Sequence, residues 1–304
     1  MSRVARQSSP SYTADASVMS IIEELTLALR FAGLTDPRRV ATDIIAALLE
    51  VPRSWPTINR ESAVDSHILS AAREAARRLG VGAPFAYAVG SAQFRHLTLN
   101  VDSRVLIPRP ETEVLVGEVL ERMDAGFKAT EPWGTAIDIG TGSGAIALCL
   151  ASEGRFDKVI GTDISLDALH VARSNASRSA AAIRCEIEFR RGSLIAPVRD
   201  VSATVLVSNP PYIAFSELEA LPAAVRDWEP PVALLSGHDG MAATEKIVSD
   251  GSRILVSGGI LALEVDERRA SLVSELIMRH GAYTNVGMRL DLAGRERFVF
   301  ASRI

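Results

Sequence analysis

The sequence is poor in cysteine, lysine and long apolar runs, and each shortage excludes a class of protein. Its 304 residues include only two cysteines, which do not form a CxxC pair and fit structural thiols in a reducing compartment. Lys128, Lys158 and Lys246 are the only lysines, and the formal net charge of −4 gives no general reason to expect nucleic-acid binding. No run approaches the ~18 apolar residues that cross a membrane, and no apolar segment resembles a signal peptide. We therefore expect a cytoplasmic protein that does not associate with membranes.

Histidine is also scarce, and its distribution does not suggest a metal site. The five histidines are His67, His96, His170, His238 and His280. They are scattered and show none of the spacings typical of metal ligands, so we expect no metal. Hydrophobic residues make up 47% of the chain and charged residues 23%, which is ordinary for a globular protein with a real core. The length suggests about two domains, at ~150 residues per domain.

Changes of pattern along the chain predict four segments. Residues 1–16 begin with a stretch rich in serine and arginine, which indicates a disordered tail, with an organelle transit peptide as the alternative. Residues 17–83 carry apolar side chains at helical spacing and predict an all-helical domain, in which Asp36 and the proline after it mark a helix start. Residues 84–107 alternate apolar and polar positions, as a β-hairpin linker does. Residues 108–304 form the last segment.

Strands and helices alternate through this last segment. Strands are predicted near 135–140, 158–163, 183–190, 203–208, 258–265, 283–290 and 296–302. Helices are predicted near 144–153, 166–178, 241–256 and 267–281. Alternation of this kind favours an α/β fold, with a mainly parallel sheet and helices on both of its faces.

A glycine-rich turn between the first predicted strand and its helix indicates a cofactor site. Gly140, Gly142 and Gly144 permit a tight turn and a close approach of the backbone to a ligand at the helix N-terminus. Asp163 ends the next strand, where a carboxylate can accept hydrogen bonds from both hydroxyls of a ribose. The GxGxG spacing differs from the GxGxxG of dinucleotide sites, and the acidic Asp138 suits a cation better than a diphosphate. The pattern favours S-adenosylmethionine over NAD, and the alternative is a plain strand–helix turn.

A second motif, Asn209-Pro210-Pro211-Tyr212, follows an apolar run typical of a buried parallel strand. Consecutive prolines lack N–H donors and fix φ, so the backbone is stiff and its carbonyl groups stay free. An asparagine amide and free carbonyls at the carboxyl end of a strand can bind a planar NH2 group. The motif therefore predicts a substrate with an amide or an exocyclic amine, and the alternative is an ordinary strand-ending turn.

Together these motifs resemble the class I S-adenosylmethionine-dependent methyltransferases of the amino-methylating type. Within that class the chain is similar to the release-factor glutamine methyltransferase family. The supporting segments are Pro84–Tyr87 with Gly90 and Phe94, Leu106–Glu113, Asp138–Ile146, Ser208–Ile213 and Asp239-Gly240. Adenine and ribosomal-RNA amino methyltransferases share Asn-Pro-Pro-Tyr, whereas Pro108–Glu113 separates this family from them and from sister enzymes that act on a ribosomal protein.

The resemblance implies a Rossmann-like, seven-stranded and mostly parallel sheet in residues 108–304. It implies that the helical domain recognises the substrate and that the hairpin links the two. The implied reaction is transfer of a methyl group from S-adenosylmethionine to the glutamine side chain in the Gly-Gly-Gln motif of peptide chain release factors. We expect the enzyme to be a monomer without a direct nucleic-acid substrate.

The resemblance also implies roles for individual residues. Asn209, through its side-chain oxygen, and Pro210, through its carbonyl, would accept hydrogen bonds from the substrate amide, and Tyr212 would stack against it. With Pro211, these three residues form the implied substrate-binding set. The implied cofactor-binding residues are Asp138, Gly140, Thr141, Gly142, Ser143, Gly144, Asp163, Leu194 and Asn209. No dedicated general base is evident, and Trp228 with Glu229–Pro231 is predicted to cover the substrate, with a surface turn as the alternative.

Some positions depart from the family pattern and keep alternatives open. Ser193 stands where an aspartate near the adenine is usual, His238 replaces a small residue, and Glu264–Glu267 differs from the expected segment. These departures leave room for a divergent substrate, such as a glutamine of another, ribosomal, protein. A nucleic-acid amino methyltransferase would need a basic groove lined with aromatic residues. A non-catalytic cofactor-binding protein is the third class, against which the intact Asn209 motif argues.

Overall fold

A computed structural model describes residues 16–128 and 130–304 of the chain. It contains two compact units that divide between Val89 and Gly90. Apart from Ala16, the predicted disordered tail lies outside the described residues. No helix in the described part of the chain combines the length and apolar character that crossing a membrane requires.

The first unit is helical, with a short two-stranded sheet. Its elements are β1 Ala16–Ser17, α1 Val18–Phe31, α2 Pro37–Leu48, α3 Trp55–Ile58, β2 Ala63–Val64, α4 Ser66–Gly80 and α5 Phe85–Val89. Helix α5 occupies the stretch where the sequence predicted the start of the hairpin. Asp36 precedes α2 as predicted, but its side chain does not cap the helix and instead accepts a hydrogen bond from Arg39 Nε at 2.8 Å. The helices pack around fully buried side chains such as Leu29 and Ile44.

The second unit contains a hairpin followed by alternating strands and helices. Its strands are β3 Ser91–Phe94, β4 Leu97–Asn100, β5 Thr135–Ile139, β6 Lys158–Asp163, β7 Glu186–Arg191, β8 Ala203–Ser208, β9 Leu255–Glu264, β10 Tyr283–Leu290 and β11 Glu296–Arg303. Its α-helices are α6 Pro110–Gly126, α7 Ala145–Glu153, α8 Leu166–Arg178, α9 Ala223–Arg226, α10 Pro231–Leu234, α11 Gly237–Gly240, α12 Ala242–Gly251 and α13 Ala270–His280. Short 3-10 helices span Ala196–Val198 and Phe215–Ala220.

Seven strands form one sheet in the order β10-β11-β9-β8-β5-β6-β7. The neighbours from β9 to β7 are parallel, and β11 runs antiparallel to both β9 and β10. The predicted α/β fold class is confirmed. The helix predicted over 241–256 is shorter, because a turn follows Gly251 and β9 begins at Leu255.

Alternate residues along the central strands face two separate hydrophobic cores, one on each side of the sheet. Ala136, Val205 and Val207 pack with α6 and α7 in one core, whereas Ile137 and Leu206 pack with α12 and α13 in the other. Alternation of this kind follows from the two-residue period of a strand, and it makes the central strands apolar on both faces. Each buried Ile or Leu side chain contributes roughly 1.5–3 kcal/mol to folding.

The strand order decides where the functional side chains meet. Strand β5 lies between β6 and β8, with Ile139 paired to both Thr162 and Ser208. The carboxyl ends of these three parallel strands therefore share one edge of the sheet, where open α/β sheets bind ligands. The glycine loop, Asp163 and Asn209 follow or end these strands, so the fold brings all three together.

Candidate active site

The glycine loop between β5 and α7 adopts a backbone that only glycine enters easily. Gly140, Gly142 and Gly144 have φ values of +73°, +53° and +84°, in the left-handed region. The N–H groups of Gly140 and Thr141 both donate to the Thr162 carbonyl at 2.8 Å, which ties the loop to the end of β6. A Cβ atom at Gly140 or Gly142 would meet no atom within 4 Å. These two glycines are therefore required by backbone angle, and the loop faces open space.

Asp138 lies behind this loop and is fully buried. Its Oδ2 accepts hydrogen bonds from the Thr141 hydroxyl at 2.6 Å and from the Ala147 N–H at 3.2 Å. The carboxyl group thus ties the loop to the first turn of α7. Its Oδ1 has no hydrogen-bond partner among the described residues. Burial raises the pKa of Asp138 to about 7, although the hydrogen bonds from Thr141 and Ala147 oppose the rise.

Asp163, the last residue of β6, is fixed beside the loop by two backbone donors. Its Oδ2 accepts from the Gly142 N–H at 3.0 Å, and its Oδ1 accepts from the Ser165 N–H at 2.9 Å. Burial raises the pKa of Asp163, against the effect of these hydrogen bonds. Each carboxylate oxygen retains capacity for a further hydrogen bond, so a ligand can still be bound.

A cavity of about 330 Å³, here called the larger cavity, opens beside the glycine loop. The predicted cofactor-binding residues that line it are Gly140, Gly142, Asp163, Leu194 and Asn209. The predicted cofactor-binding residues absent from its wall are Asp138, Thr141, Ser143 and Gly144. Because Asp138 and Thr141 bond to each other behind the loop, they support its shape rather than face the cavity.

A second cavity of about 100 Å³, the smaller cavity, is lined by Asn209, Pro210 and Tyr212. Pro211 faces the larger cavity instead. Asn209 lines both cavities and therefore stands where they meet. The stiff Pro-Pro segment thus divides its residues between two adjoining spaces.

Asn209 is the first member of a polar chain that sequence reasoning missed. Its Nδ2 donates to the hydroxyl oxygen of Thr112 at 3.2 Å, and that hydroxyl donates to Glu264 Oε2 at 2.7 Å. Thr112 lies in the first turn of α6, and Glu264 ends β9. Glu264 is only 1% exposed. Burial raises its pKa to about 7, although the hydrogen bond from Thr112 opposes the rise.

Tyr212 is backed by the predicted Asp239-Gly240 motif. Gly240 has a φ of +88°, and a Cβ atom there would overlap the Tyr212 carbonyl oxygen. Arg269 fixes this turn, since its Nε donates to the Asp239 carbonyl at 2.7 Å and its Nη2 to Glu217 Oε2 at 2.9 Å. Burial is the main cause that raises the pKa of Tyr212 to about 12. Its phenol therefore stays protonated at neutral pH.

The Glu229–Pro231 loop reaches the larger cavity through Pro230 and is linked to the smaller cavity only through Arg109. Glu229 is buried and accepts two hydrogen bonds from Arg109 Nη2, at 2.6 and 2.7 Å. Arg109 lines the smaller cavity and Pro230 the larger one. Burial raises the pKa of Glu229, against the effect of Arg109. These contacts fit a loop that covers the site better than they fit a surface turn, although Trp228 lines neither cavity.

The departures from the family pattern fall in different surroundings. Ser193 lines the larger cavity, so the unusual residue there faces the predicted cofactor. His238 is exposed, and its Nδ1 lies 2.9 Å from Glu245 Oε2. Glu264, in the third departing segment, belongs to the polar chain from Asn209.

Among the described residues, three side chains of kinds that can bind metals lie close together away from this site. The ligand atoms of His96, Cys149 and Glu153 lie within 4.8 Å of one another, which the sequence spacing did not indicate. Arg95 donates to both Glu153 oxygens, at 2.7 and 2.6 Å. Burial raises the pKa of the Cys149 thiol, which disfavours the thiolate that binds metals. The cluster is better described as an ion pair with a neighbouring buried thiol.

The fold, with the two cavities at the carboxyl edge of its parallel strands, is that of a class I methyltransferase. Residues 119–223 match the family model described as methyltransferase small domain. The crystal structure of a methyltransferase from Pyrococcus furiosus matches with a TM-score of 0.51 and 20% identity, over 69% of this chain and 91% of that one. At this identity the likeness concerns the fold alone.

Relatives of known name identify the family. The release factor glutamine methyltransferase of Rhodopirellula baltica is 36% identical over 284 residues, which are 93% of this chain and 95% of the relative. That of Nitratidesulfovibrio vulgaris is 32% identical over 97% of this chain and 98% of the relative. That of Moorella thermoacetica is 41% identical over 76% of this chain and 78% of the relative. The chain belongs to the release factor glutamine methyltransferase family.

Proposed function

We propose that this chain transfers a methyl group from S-adenosylmethionine to the side-chain nitrogen of the glutamine in the Gly-Gly-Gln motif of a peptide chain release factor. One observation carries the proposal. Asn209 lines both a cavity beside the glycine loop and a smaller cavity formed with Pro210 and Tyr212. An amide bound in the smaller cavity would face a cofactor bound in the larger one.

The residues of the larger cavity fit this cofactor. Asp163 offers carboxylate oxygens to the two ribose hydroxyls, and Leu194 offers an apolar wall to the adenine. The buried Asp138 Oδ1 has no hydrogen-bond partner among the described residues, and the carboxyl group, with a pKa raised to about 7, supplies negative charge behind the loop for a cationic ligand once it ionises. When bound, the cofactor supplies a methyl group activated by a sulfonium. We propose that Gly140, Gly142, Asp163, Leu194 and Asn209 hold it directly.

The substrate amide is a poor nucleophile, because its nitrogen lone pair is delocalised into the carbonyl group. The Asn209 Oδ1 and the Pro210 carbonyl oxygen would each accept one N–H of that amide and orient its nitrogen. Positioning of this kind supplies up to ~7–11 kcal/mol of a barrier in the best cases. The same two oxygens face the nitrogen as positive charge develops there, which adds an electrostatic contribution.

Removal of the proton needs no dedicated base in this proposal. Directly after methyl transfer the amide nitrogen carries a positive charge and both of its protons, so it is far more acidic than the neutral amide, and loss of one proton to solvent gives the neutral N-methyl amide. Tyr212, with its pKa raised to about 12, stays a neutral phenol that stacks on the amide and excludes water. We expect the reaction rate to show no ionisation of Tyr212 below pH 9.

The release factor is a protein substrate, and the helical first unit is the part of the chain that we propose recognises it. Release factors act at the ribosome, so the proposal implies a cytoplasmic enzyme. We also propose that the enzyme is a monomer and that nucleic acid is not its substrate.

The proposal is tested by incubating a purified release factor with this protein and S-adenosylmethionine, followed by intact-mass and peptide-mapping mass spectrometry. We expect the gain of one methyl group, mapped to the glutamine of Gly-Gly-Gln. A release factor in which glutamate replaces that glutamine is the matched control, because it lacks the amide nitrogen. Ribosomal RNA is offered in a parallel reaction. Methylation of the RNA, or of neither substrate while the cofactor binds, would overturn the proposal.

A further inference from the structure

Above the pKa of about 7 to which burial raises it, Glu264 is ionised, and the hydrogen bonds of the polar chain from Asn209 then have one consistent direction. A carboxylate only accepts hydrogen bonds, so the Thr112 hydroxyl gives its single proton to Glu264 Oε2, 2.7 Å away. The Thr112 oxygen then acts as an acceptor toward Asn209, whose Nδ2 lies at 3.2 Å. The Asn209 amide must therefore turn its NH2 toward Thr112 and its Oδ1 away from it.

The surroundings of this polar chain strengthen its constraint on the orientation of the Asn209 amide. Thr112 and Glu264 are 5% and 1% exposed, so water has little access to compete for their hydrogen bonds. They belong to α6 and to β9, two regular elements of the second unit, whereas Asn209 lies in the segment after β8. The amide is thus held against rigid elements, which position functional groups more accurately than loops do.

We propose that Thr112 and Glu264 are positioning residues that hold the Asn209 amide with its Oδ1 toward the substrate. This inference rests on the proposed methylation of a glutamine amide. If the Asn209 amide were flipped, so that Oδ1 and Nδ2 exchanged places, its NH2 would face the NH2 of the substrate. The substrate would then lose Oδ1 as a hydrogen-bond acceptor. Neither Thr112 nor Glu264 lines either cavity, so both act through Asn209 rather than on the substrate.

The test compares substitutions that remove or alter single hydrogen-bonding groups of the polar chain. Thr112→Val keeps the shape of the side chain but removes the hydroxyl, and Thr112→Ser keeps the hydroxyl. Glu264→Gln keeps an acceptor but adds a donor, which permits either direction of the chain. We expect Thr112→Val to lower kcat roughly 10- to 100-fold, as small errors of position do. The Kd for S-adenosylmethionine should change much less than kcat, because Asn209 is only one of the five residues proposed to hold the cofactor. Thr112→Ser should restore most of the rate, and the kcat of Glu264→Gln should lie between those of Thr112→Val and the wild type.

Two controls separate positioning from a general structural role. Thr204→Val removes a hydroxyl bonded to the Trp133 and Thr135 carbonyls at the opposite end of β8, and it should leave kcat near the wild-type value. In an Asn209→Ala background, adding Thr112→Val should cause no further loss, because the residue through which it acts is gone. An unchanged kcat in the folded Thr112→Val variant, or a full additional loss in the Asn209→Ala background, would overturn the inference.

A further readout does not depend on methylation. The side-chain NH2 of Asn209, assigned by its absence from the NMR spectrum of Asn209→Ala, should exchange slowly with water in the wild type and in Thr112→Ser. It should exchange faster in Thr112→Val. Equal exchange in all three would overturn the inference even if the release factor is methylated. Slow exchange in a wild type that methylates no release factor would instead overturn the proposed function alone.

Discussion

Replacing Asp138 with asparagine should remove a pH-dependent part of the free energy of unfolding. The side chain is fully buried, and burial raises its pKa to about 7 from an ordinary value of 3.8. Because the pKa is higher in the folded state, the stabilising contribution is complete below the unfolded pKa and is lost as the pH rises through 7. The difference in pKa corresponds to ~4 kcal/mol in all, of which ~2–3 kcal/mol falls between pH 5 and pH 8. An asparagine keeps an oxygen for Thr141 but cannot ionise.

Thermal unfolding at pH 5 and pH 8 measures this effect. Between the two pH values the Tm of the wild type should fall by ~5–10 °C more than that of Asp138→Asn. Titratable groups present in both proteins contribute equally to the pH dependence of the two Tm values, so their contributions cancel in this comparison. They include Glu264, whose pKa is also raised to about 7. The asparagine NH2 would take the place of the unpartnered Oδ1, at a cost of ~1–3 kcal/mol at every pH.

A matched control uses the same substitution at an exposed carboxylate. The Arg226 guanidinium lowers the pKa of Asp227, so Asp227→Asn should leave the pH dependence of Tm close to that of the wild type. An equal pH dependence in Asp138→Asn and the wild type would refute the reasoning, because it would mean that the buried carboxyl group is ionised throughout the range.

Two further predictions concern the cofactor residue Asp163 and the glycine behind Tyr212. Asp163→Asn should weaken S-adenosylmethionine binding roughly 10- to 100-fold, since hydrogen bonds to a charged group contribute ~1.5–3 kcal/mol, and calorimetry that gives equal affinities would contradict this. Gly240→Ala should lower stability and kcat much more than Gly258→Ala. Both glycines have positive φ, but a Cβ at Gly240 would overlap the Tyr212 carbonyl, whereas a Cβ at Gly258 would meet no atom within 4 Å. Similar losses in unfolding and activity assays would contradict the comparison.

Much of the fold followed from the pattern of the sequence. The predicted strand 203–208 coincides with β8, and 158–163 with β6, because buried parallel strands are short apolar runs with clear boundaries. The predicted helix over 241–256 was too long, because helix α12 ends at Gly251 and β9 begins at Leu255. Short apolar stretches fit a buried helix or a strand equally well, so periodicity could not place this boundary.

The candidate site was predictable only in part. The glycine loop, Asp163 and Asn209 carry local signals, because each stands at the carboxyl end of a recognisable strand. Thr112 and Glu264 carry none, since their contacts to each other span 152 residues and Thr112 reads as an ordinary residue of a helix's first turn. Glu264 stood out in the sequence only as part of a departure from the family pattern, and its partner became visible once β9 and α6 were placed in space.

The most direct test of the central claim is peptide-mapping mass spectrometry of a release factor methylated at saturating S-adenosylmethionine by the wild type and by Asn209→Ala. Cofactor binding by both proteins is measured in parallel, because Asn209 lines the larger cavity as well. We predict one methyl group on the Gly-Gly-Gln glutamine with the wild type and almost none with the variant. Equal methylation of that glutamine by both proteins would contradict the claim that Asn209 binds the reacting amide.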